Sequence, residues 1–564
     1  MKKISVFLMF FLTILNVGKA QSTRLVLIEE ATNASCGPCA SQNPAFDNLL
    51  NQNRDILTAV KYHWYFPGYD PMHNHNPGEN NARVSYYGIN GVPTATIDGD
   101  IPNGPTFSYP GGPHGYTQAL LDEYSAVPSP FNISMSHHLS PDETIIYVDM
   151  MIEATGAVSG NLRAHMVVVE KHVNFTSPPG SNGEKNFLDV MKKMIPDANG
   201  TVIPDSWQPG DYIILQGSWE LANIYNMDEL GVVGFIQNNT SKDVHQAANS
   251  SPDPMTPLYD NEASITSIDN ISETNCLGVM EPRITLRNNG ANAITSLDIH
   301  YRVNEEEILT YNWSGNLEFL ESETVSLPPV SFQLEDVNEL YINTVDPNGI
   351  PDEYTANDTM VEYVDRAEIT PVTVKLMIRT DDNPDEITWK ILNSSNTVVY
   401  SGGPYANPTT IYNETFQLED IECYKFMIYD EGGDGLLIPG FYALYYGSNN
   451  YIKSGTEFGA VDSAYFEVNT QVGLTDLPAP AKMAIHPNPA KSAFNVEFFI
   501  GDPMKVSIAV YDLSGSKVLS MPAEQLNAGP HSLRIDASLL KPGMYLVQIL
   551  TGNAVQTKKI TIVQ

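Results

Sequence analysis

"ATNASCGPCASQNP" occupies residues 31–44, and two cysteines, Cys36 and Cys39, bracket its Gly37-Pro38 pair. The chain of 564 residues holds only four cysteines. The segments on either side decide what this pair is for. "RLVLIEEA" (24–31) is an apolar run of strand character, and a short polar turn leads from it to Cys36. "CASQNPAFDNLLNQN" (39–53) carries Phe46, Leu49 and Leu50 at helical spacing, and "DILTAVKYHW" (55–64) is a second strand. A short helix over 79–88 closed by Gly88, a strand over 92–99 and an amphipathic helix over 115–127 complete the pattern. Strand and helix alternating within this stretch predict an α/β domain with a small sheet over residues 21–130. A C-x-x-C beside a β-α-β order is the pattern of a redox pair.

The chemistry explains the spacing. The thiolate is the form that attacks a disulfide, and a helix N-terminus favours the anion through its unpaired N–H groups and positive dipole end. Cys36 is placed for that role, and Cys39, one turn into the helix, is placed to displace a mixed disulfide. Pro38 suits a first helical turn, where a missing N–H costs little. A structural disulfide is the competing reading. A four-cysteine zinc site is excluded, because the chain has no second C-x-x-C.

Cys36-Gly37-Pro38-Cys39 resembles the CGPC of the thioredoxin superfamily. Pro44 corresponds to that family's helix-kinking proline, and Val92-Pro93-Thr94 to its cis-proline strand. The resemblance implies that Glu30 is the buried carboxylate handling the resolving cysteine's proton and that Pro93 holds substrate backbone. Ser35 departs from the family, which has tryptophan before the first cysteine. A narrower resemblance covers roughly residues 24–250. "LIEEATNASCGPC", "YYGINGVPTATIDG", "EKNFLDVMKKMIPDANGT" and "VVGFIQNNTSKDVHQAA" are similar to the outer-membrane-protein-28-like family of Bacteroidetes. That family joins a thioredoxin-like domain to a β-sandwich.

The compartment is legible at the start. Met1-Lys2-Lys3, an apolar run from Ile4 to Val17 and Gly18-Lys19-Ala20 read as a secretory signal peptide over 1–20. No later stretch reaches the ~18 apolar residues of a membrane span. An oxidising exterior permits disulfides. The 67 acids against 30 bases, a net charge of −37, exclude a nucleic-acid partner.

From residue 131 the pattern turns to alternating strands, predicting a β-sandwich over 131–250 with one short helix, "FLDVMKKMI" (187–195), inside it. A linker over 251–264 precedes a segment at 265–368 that resembles the immunoglobulin-like modules of bacterial exoproteins. Residues 369–470 read as a further β-sandwich with two acidic loops, "RTDDNPDE" (379–386) and "YDEGGDGLL" (429–437). Asp381, Asp382, Asp430 and Asp434 form a calcium set if those loops share one end of the sandwich, and are otherwise plain acidic turns. The loop "YHWYFPGYDPMHNHNPGEN" (62–80) offers His63, Asp70, His73, His75 and Glu79, read either as a metal site or as a polar loop beside the cysteines. Cys276 and Cys423 fall in different modules and read as buried free thiols.

A Pro-rich linker over 471–484 leads to residues 485–564, where eight Lys and Arg against five Asp and Glu, counted from Lys482, reverse the charge to +3. Pro487-Asn488-Pro489, Gly543-Met544-Tyr545 and Lys558-Lys559 resemble the type A C-terminal sorting domain of type IX secretion. The whole is expected to be a multidomain chain, an N-terminal α/β thioredoxin-like domain followed by several antiparallel β-sandwiches. Its expected partners are protein thiols or disulfides and the type IX machinery, with no cofactor at the redox site and calcium as the candidate ion of the 369–470 module. Two functions stand: an exported thiol–disulfide exchange enzyme, and a surface binding or adhesion protein in which the thioredoxin-like fold is a scaffold.

Overall fold

The computed structural model describes residues 21–447, 450–470 and 483–562, apart from 489, 492, 501–503, 513–516, 528, 539, 542, 552 and 553. The expected signal peptide and residues 471–482 of the expected linker lie outside the described residues. The chain divides into two compact units, one ending at Thr256 and the other beginning at Pro257. It is predominantly β, built from several sheets, and no helix among the described residues is long and apolar enough to cross a membrane.

In the first unit the elements run β1 (Val26–Thr32), α1 (Gly37–Asn51), β2 (Leu57–His63), α2 (Pro71–His75), α3 (Pro77–Tyr86), β3 (Thr94–Ile97) and α4 (Gln118–Ser125). Then come β4 (Phe131–Leu139), β5 (Ile145–Ala154), β6 (Val158–Ser159), β7 (Leu162–Asn174), β8 (Asn186–Ile195), β9 (Thr201–Val202), β10 (Ser206–Trp207), β11 (Tyr212–Glu220), β12 (Leu230–Asn238) and β13 (Val244–Asn249). An eight-stranded sheet has the order β13-β12-β7-β8-β2-β1-β3, with β9 added to β7. β1 and β2 are parallel, and β8 joins β2 in parallel at the pair Lys61 and Val190. A three-stranded antiparallel sheet, β11-β5-β4, packs on it.

Strands from both sides of residue 130 thus share one sheet and one core. Leu27, Ala31, Val60 and Tyr62 of β1 and β2 pack with Val167, Val169, Met191, Val233 and Phe235 of β7, β8 and β12. The expected boundary at 130 is corrected accordingly. β1 and β2 are buried along their whole length on both faces, charged residues included, and β2 has an edge that β8 pairs. On β7, Val167 and Val169 face this core while Met166 and Val168 face the three-stranded sheet.

The segment expected as a helix over 187–195 is strand β8. Its apolar residues 187, 190, 191, 194 and 195 have helical spacing, but the ladder to β7 contains a bulge. Val169 pairs with Met191 and Val168 with Lys193, leaving Lys192 as the extra residue. An extra residue shifts the alternation of faces by one, so Met191 and Met194 fall in the same core at a spacing of three.

The sheet curls until its ends meet. Asp98, just past β3, accepts the Val244 N–H of β13 on its backbone carbonyl at 2.9 Å. Its carboxylate takes the Leu27 N–H at 2.8 Å and Arg24 at 2.8 Å. Gly99 follows at φ +92, and a Cβ there would stand 1.9 Å from the Lys242 carbonyl oxygen, so only glycine permits the closure. Inside the curl, Glu29 of β1 accepts two bonds from the Arg83 Nη2 at 2.7 and 2.9 Å and one from the Tyr62 hydroxyl at 2.8 Å. The Tyr87 hydroxyl also donates to it, and Gln237 of β12 accepts from Arg83 at 3.1 Å.

The second unit holds three successive pairs of sheets, each with its own core. Residues 263–366 give a three-stranded and a five-stranded sheet, 368–468 a five- and a four-stranded sheet, and 484–562 a three- and a four-stranded sheet. Cys276 and Cys423 are not free thiols. They form a disulfide between the first and second of these sandwiches. A span of 147 residues carries no sequence signal of pairing, since only approach in space decides it. Thr274 reinforces the junction by accepting the Tyr465 N–H at 3.1 Å.

Arg83 is buried with Glu29, so Arg83→Ala leaves an uncompensated carboxylate inside the curl. The expected loss is about 3–5 kcal/mol, measured as an earlier denaturant midpoint for the first unit.

Candidate functional site

Cys36 is the N-cap of α1, with extended backbone at φ −87 and ψ 113. Its Sγ receives the Cys39 N–H at 3.1 Å, the contact that a thiolate at a helix start uses. Cys36 and Cys39 are joined in a disulfide with their Cα atoms 5.2 Å apart. Pro38 lies in the first helical turn and Pro44 inside the helix. The Val92 carbonyl oxygen stands 3.4 Å from Cys36 Sγ, and the Val92–Pro93 bond is cis. The Tyr109 hydroxyl donates to the Pro93 carbonyl at 2.9 Å. The structure thus brings Cys36, Cys39 and the Val92–Pro93 turn together.

Glu30 sits on β1 opposite Ala95 of β3. Successive strand residues point to opposite faces, so Glu30 faces α1 while Glu29 faces α3. Lys61 Nζ lies 2.8 Å from Glu30 Oε2 and also contacts Asp47 of α1. Burial pushes the Glu30 carboxyl up to about 7, against the pull of Lys61 and with the help of Asp47. A group at that value changes charge near neutral pH, which suits a proton acceptor or donor.

Cys36 is only 1% exposed, while Gly37 and Pro38 are open to solvent. The segment between β7 and β8 is bonded to the backbone of this turn. Asn182 Nδ2 donates to the Cys36 carbonyl at 3.0 Å, and the Ser181 N–H to Ser35 Oγ at 3.0 Å. Ser35 Oγ in turn donates to the Tyr69 carbonyl at 2.6 Å. A Cβ at Gly180 would fall 2.1 Å from the Ala34 carbonyl oxygen, so this approach requires glycine. Sequence reasoning missed Gly180, Ser181 and Asn182. "SPPGSNGEKN" (177–186) reads as a turn-rich loop, and nothing local says where it lands.

The histidine loop does not gather into one ligand set among the described residues. His63 Nδ1 pairs with Asp70 Oδ2 at 2.7 Å, behind the cysteine turn, and Asp70 also accepts the Ala34 N–H at 2.7 Å. Burial opposes the charge on Asp70, but His63 and the backbone donors outweigh it and hold the carboxyl below its usual range. His73 meets Asn81, His75 lies between Lys192 and Tyr225, and Glu79 pairs with Lys193.

The expected calcium set is revised. Asp430 and Asp434 do lie together, but their third neighbour is Glu386. Asp382 is exposed, and both Asp381 oxygens are taken by backbone, Oδ1 by the Asn383 N–H and Oδ2 by the Leu437 N–H, each at 3.0 Å. Glu386 ends the quoted loop 379–386, and nothing in the local sequence says that its carboxylate turns toward Asp430.

In the last sandwich, Asn488 ties the start of the module to its final strand. Its Nδ2 donates to the Lys559 carbonyl at 3.2 Å and its Oδ1 accepts the Thr561 N–H at 2.9 Å. Residues 484–563 match a family model described as a secretion system C-terminal sorting domain. The chain is thus an exported protein, carried by type IX secretion to the cell surface or the medium. No curated protein sequence matches the chain. Among solved structures it is similar to HBP35 of Porphyromonas gingivalis, at 10% identity and a TM-score of 0.35 over 62% of this chain and 99% of that one. A protein of Agrobacterium tumefaciens gives 14% identity and a TM-score of 0.28 over 42% and 98%. The CARDB domain of a Pyrococcus furiosus protein, in complex with di-metal ions, gives 15% and 0.17 over 20% and 95%. At these TM-scores none of the three bears on activity.

The raised Glu30 carboxyl gives a pH test. Between its ordinary value of 4.5 and about 7 the folded state keeps a proton that the unfolded chain has released. More protons bound in the folded state means that stability falls as pH rises through this window. Glu30→Gln removes that slope. Its stability relative to wild type is expected to improve from pH 5 to pH 8 by up to about 3 kcal/mol, read from denaturant titrations at the two values.

Proposed function

We propose that this is an exported thiol–disulfide exchange protein acting on extracytoplasmic proteins, with Cys36 as nucleophile and Cys39 as resolving thiol. The observation that carries this reading is Cys36 Sγ at the N-cap of α1, receiving the Cys39 N–H and facing the Val92 carbonyl. The resemblance of CGPC, Pro44 and Val92-Pro93 to the thioredoxin superfamily, and of residues 24–250 to the outer-membrane-protein-28-like family, supports it. In the reducing direction, the Cys36 thiolate attacks a substrate disulfide and forms a mixed disulfide, releasing one substrate thiolate. Cys39 then loses its proton to Glu30 and attacks Cys36 Sγ, releasing the second substrate thiolate and leaving the Cys36–Cys39 disulfide. Pro93 borders the position of the substrate chain. Because Cys36 is covered, a substrate reaches it from the side of Gly37 and Pro38, with the 177–186 segment displaced.

The second reading is a surface binding protein whose Cys36–Cys39 disulfide is structural, and the burial of both sulfurs favours it. The two are separated by trapping. In the exchange reading, reduced Cys39→Ser accumulates mixed disulfides with a disulfide substrate, Cys36→Ser accumulates none, and wild type turns over when a dithiol is supplied to reduce its Cys36–Cys39 bond again. A wild-type protein that exchanges with no dithiol or disulfide, though its own bond is reducible, leaves only the structural role.

Export is tested apart from chemistry. Deleting 485–564 is expected to hold the chain in the periplasm while the purified protein keeps the exchange rate of wild type. Fractionation of expressing cells reads the first outcome and a disulfide-reduction assay the second.

A further inference from the structure

We propose that Glu386, Asp430 and Asp434 form a calcium site at one end of the sandwich spanning residues 368–468. One carboxylate oxygen from each of the three lies within 4.8 Å of the others. Asp430 closes the strand Glu422–Asp430 and is only 4% exposed. Its Oδ2 accepts the Asp434 N–H at 2.9 Å and the Gly435 N–H at 3.0 Å. Its Oδ1 is buried and has no hydrogen-bond partner. A buried carboxylate oxygen that meets no donor is costly, and a coordinated cation is one of the few ways to satisfy it.

The surrounding loops are built to bring the carboxylates together. A Cβ at residue 432 would stand 2.5 Å from Glu386 Oε2, so glycine there leaves the carboxylate its place without a shift. The Glu386 carbonyl accepts the Glu431 N–H at 3.1 Å, which fastens the two loops beside the cluster. Asp381 braces them from below through the Leu437 N–H, and so acts as a positioning residue.

The donor set selects the ion. Carboxylate oxygens are hard ligands, and calcium accepts six to eight of them in irregular geometry, completing its shell with carbonyls and water, whereas magnesium demands a near-octahedral shell. The chain is exported, and extracellular calcium modules bind with dissociation constants of about 10⁻⁴–10⁻³ M.

The test uses the full mature chain, freed of metal with a chelator and titrated with calcium chloride by calorimetry, with melting temperature followed in parallel. Wild type is expected to bind calcium saturably in the range above and to melt higher with it. Glu386→Gln and Asp434→Asn each remove one carboxylate ligand and are expected to weaken binding about tenfold or more. Asp434 is exposed and supplies its backbone N–H to Asp430 whatever its side chain, so Asp434→Asn keeps the fold. Absence of calcium binding by wild type at millimolar concentration overturns the proposal. So does binding that survives unchanged in both variants.

Discussion

Glu29 is a carboxylate with almost no access to water, and everything around it in the first unit is arranged to satisfy it. Arg83 and Tyr87 reach it from α3 and its C-cap, Tyr62 from β2, and Gln237 from β12 closes the ring by holding both Arg83 and Tyr87. β1 and β12 are far apart in the strand order, so the sheet must curl for these groups to meet. A buried ion pair of this kind tolerates little displacement, because either partner left alone is strongly penalised. α3 is pinned as a result, and with it the two connections that frame the cysteines. One runs from β2 through Asp70 to α3, and the other from α3 through Gly88 to Val92 and Pro93.

Two adjacent acids on β1 are therefore treated in opposite ways. Glu29 has an arginine to itself and several hydroxyl and amide partners. Glu30, one residue on and facing the other side, shares a single lysine with Asp47 and keeps an oxygen with no partner. The same strand thus supplies an anchor held by an arginine and a carboxyl raised to about 7. The cysteines lie on the titratable side, at the start of the helix that carries Asp47.

Much of this was readable from short-range pattern. The strand, turn and helix at 24–53 follow from apolar spacing and from prolines that tolerate only certain helical positions. The α3 segment follows from its Gly88 stop. What was not readable depends on contacts between distant residues. The 187–195 segment carries a helical pattern because a bulge at Lys192 breaks the two-residue rhythm of a strand. A boundary at 130 looks natural where helices give way to strands, yet the open edge of β2 is filled from beyond it. Cys276 and Cys423 are brought together only by the placement of two sandwiches. The acidic loops are visible in the sequence, but which carboxylates converge depends on how the two loops meet in space, with both Asp381 oxygens taken by backbone N–H groups.

The bridge between Cys276 and Cys423 changes how the chain would bear a pull. A pull applied on either side of the two sandwiches travels through the sulfur–sulfur bond. Residues 277–422, the larger part of both, are left out of the path of the force. Shear from flow or from a bound partner would have to break a covalent bond before it could unravel them, whereas strands outside the loop have only hydrogen bonds to resist it. In an oxidising exterior such a bond persists, and residues 277–422 stay closed within the loop it makes.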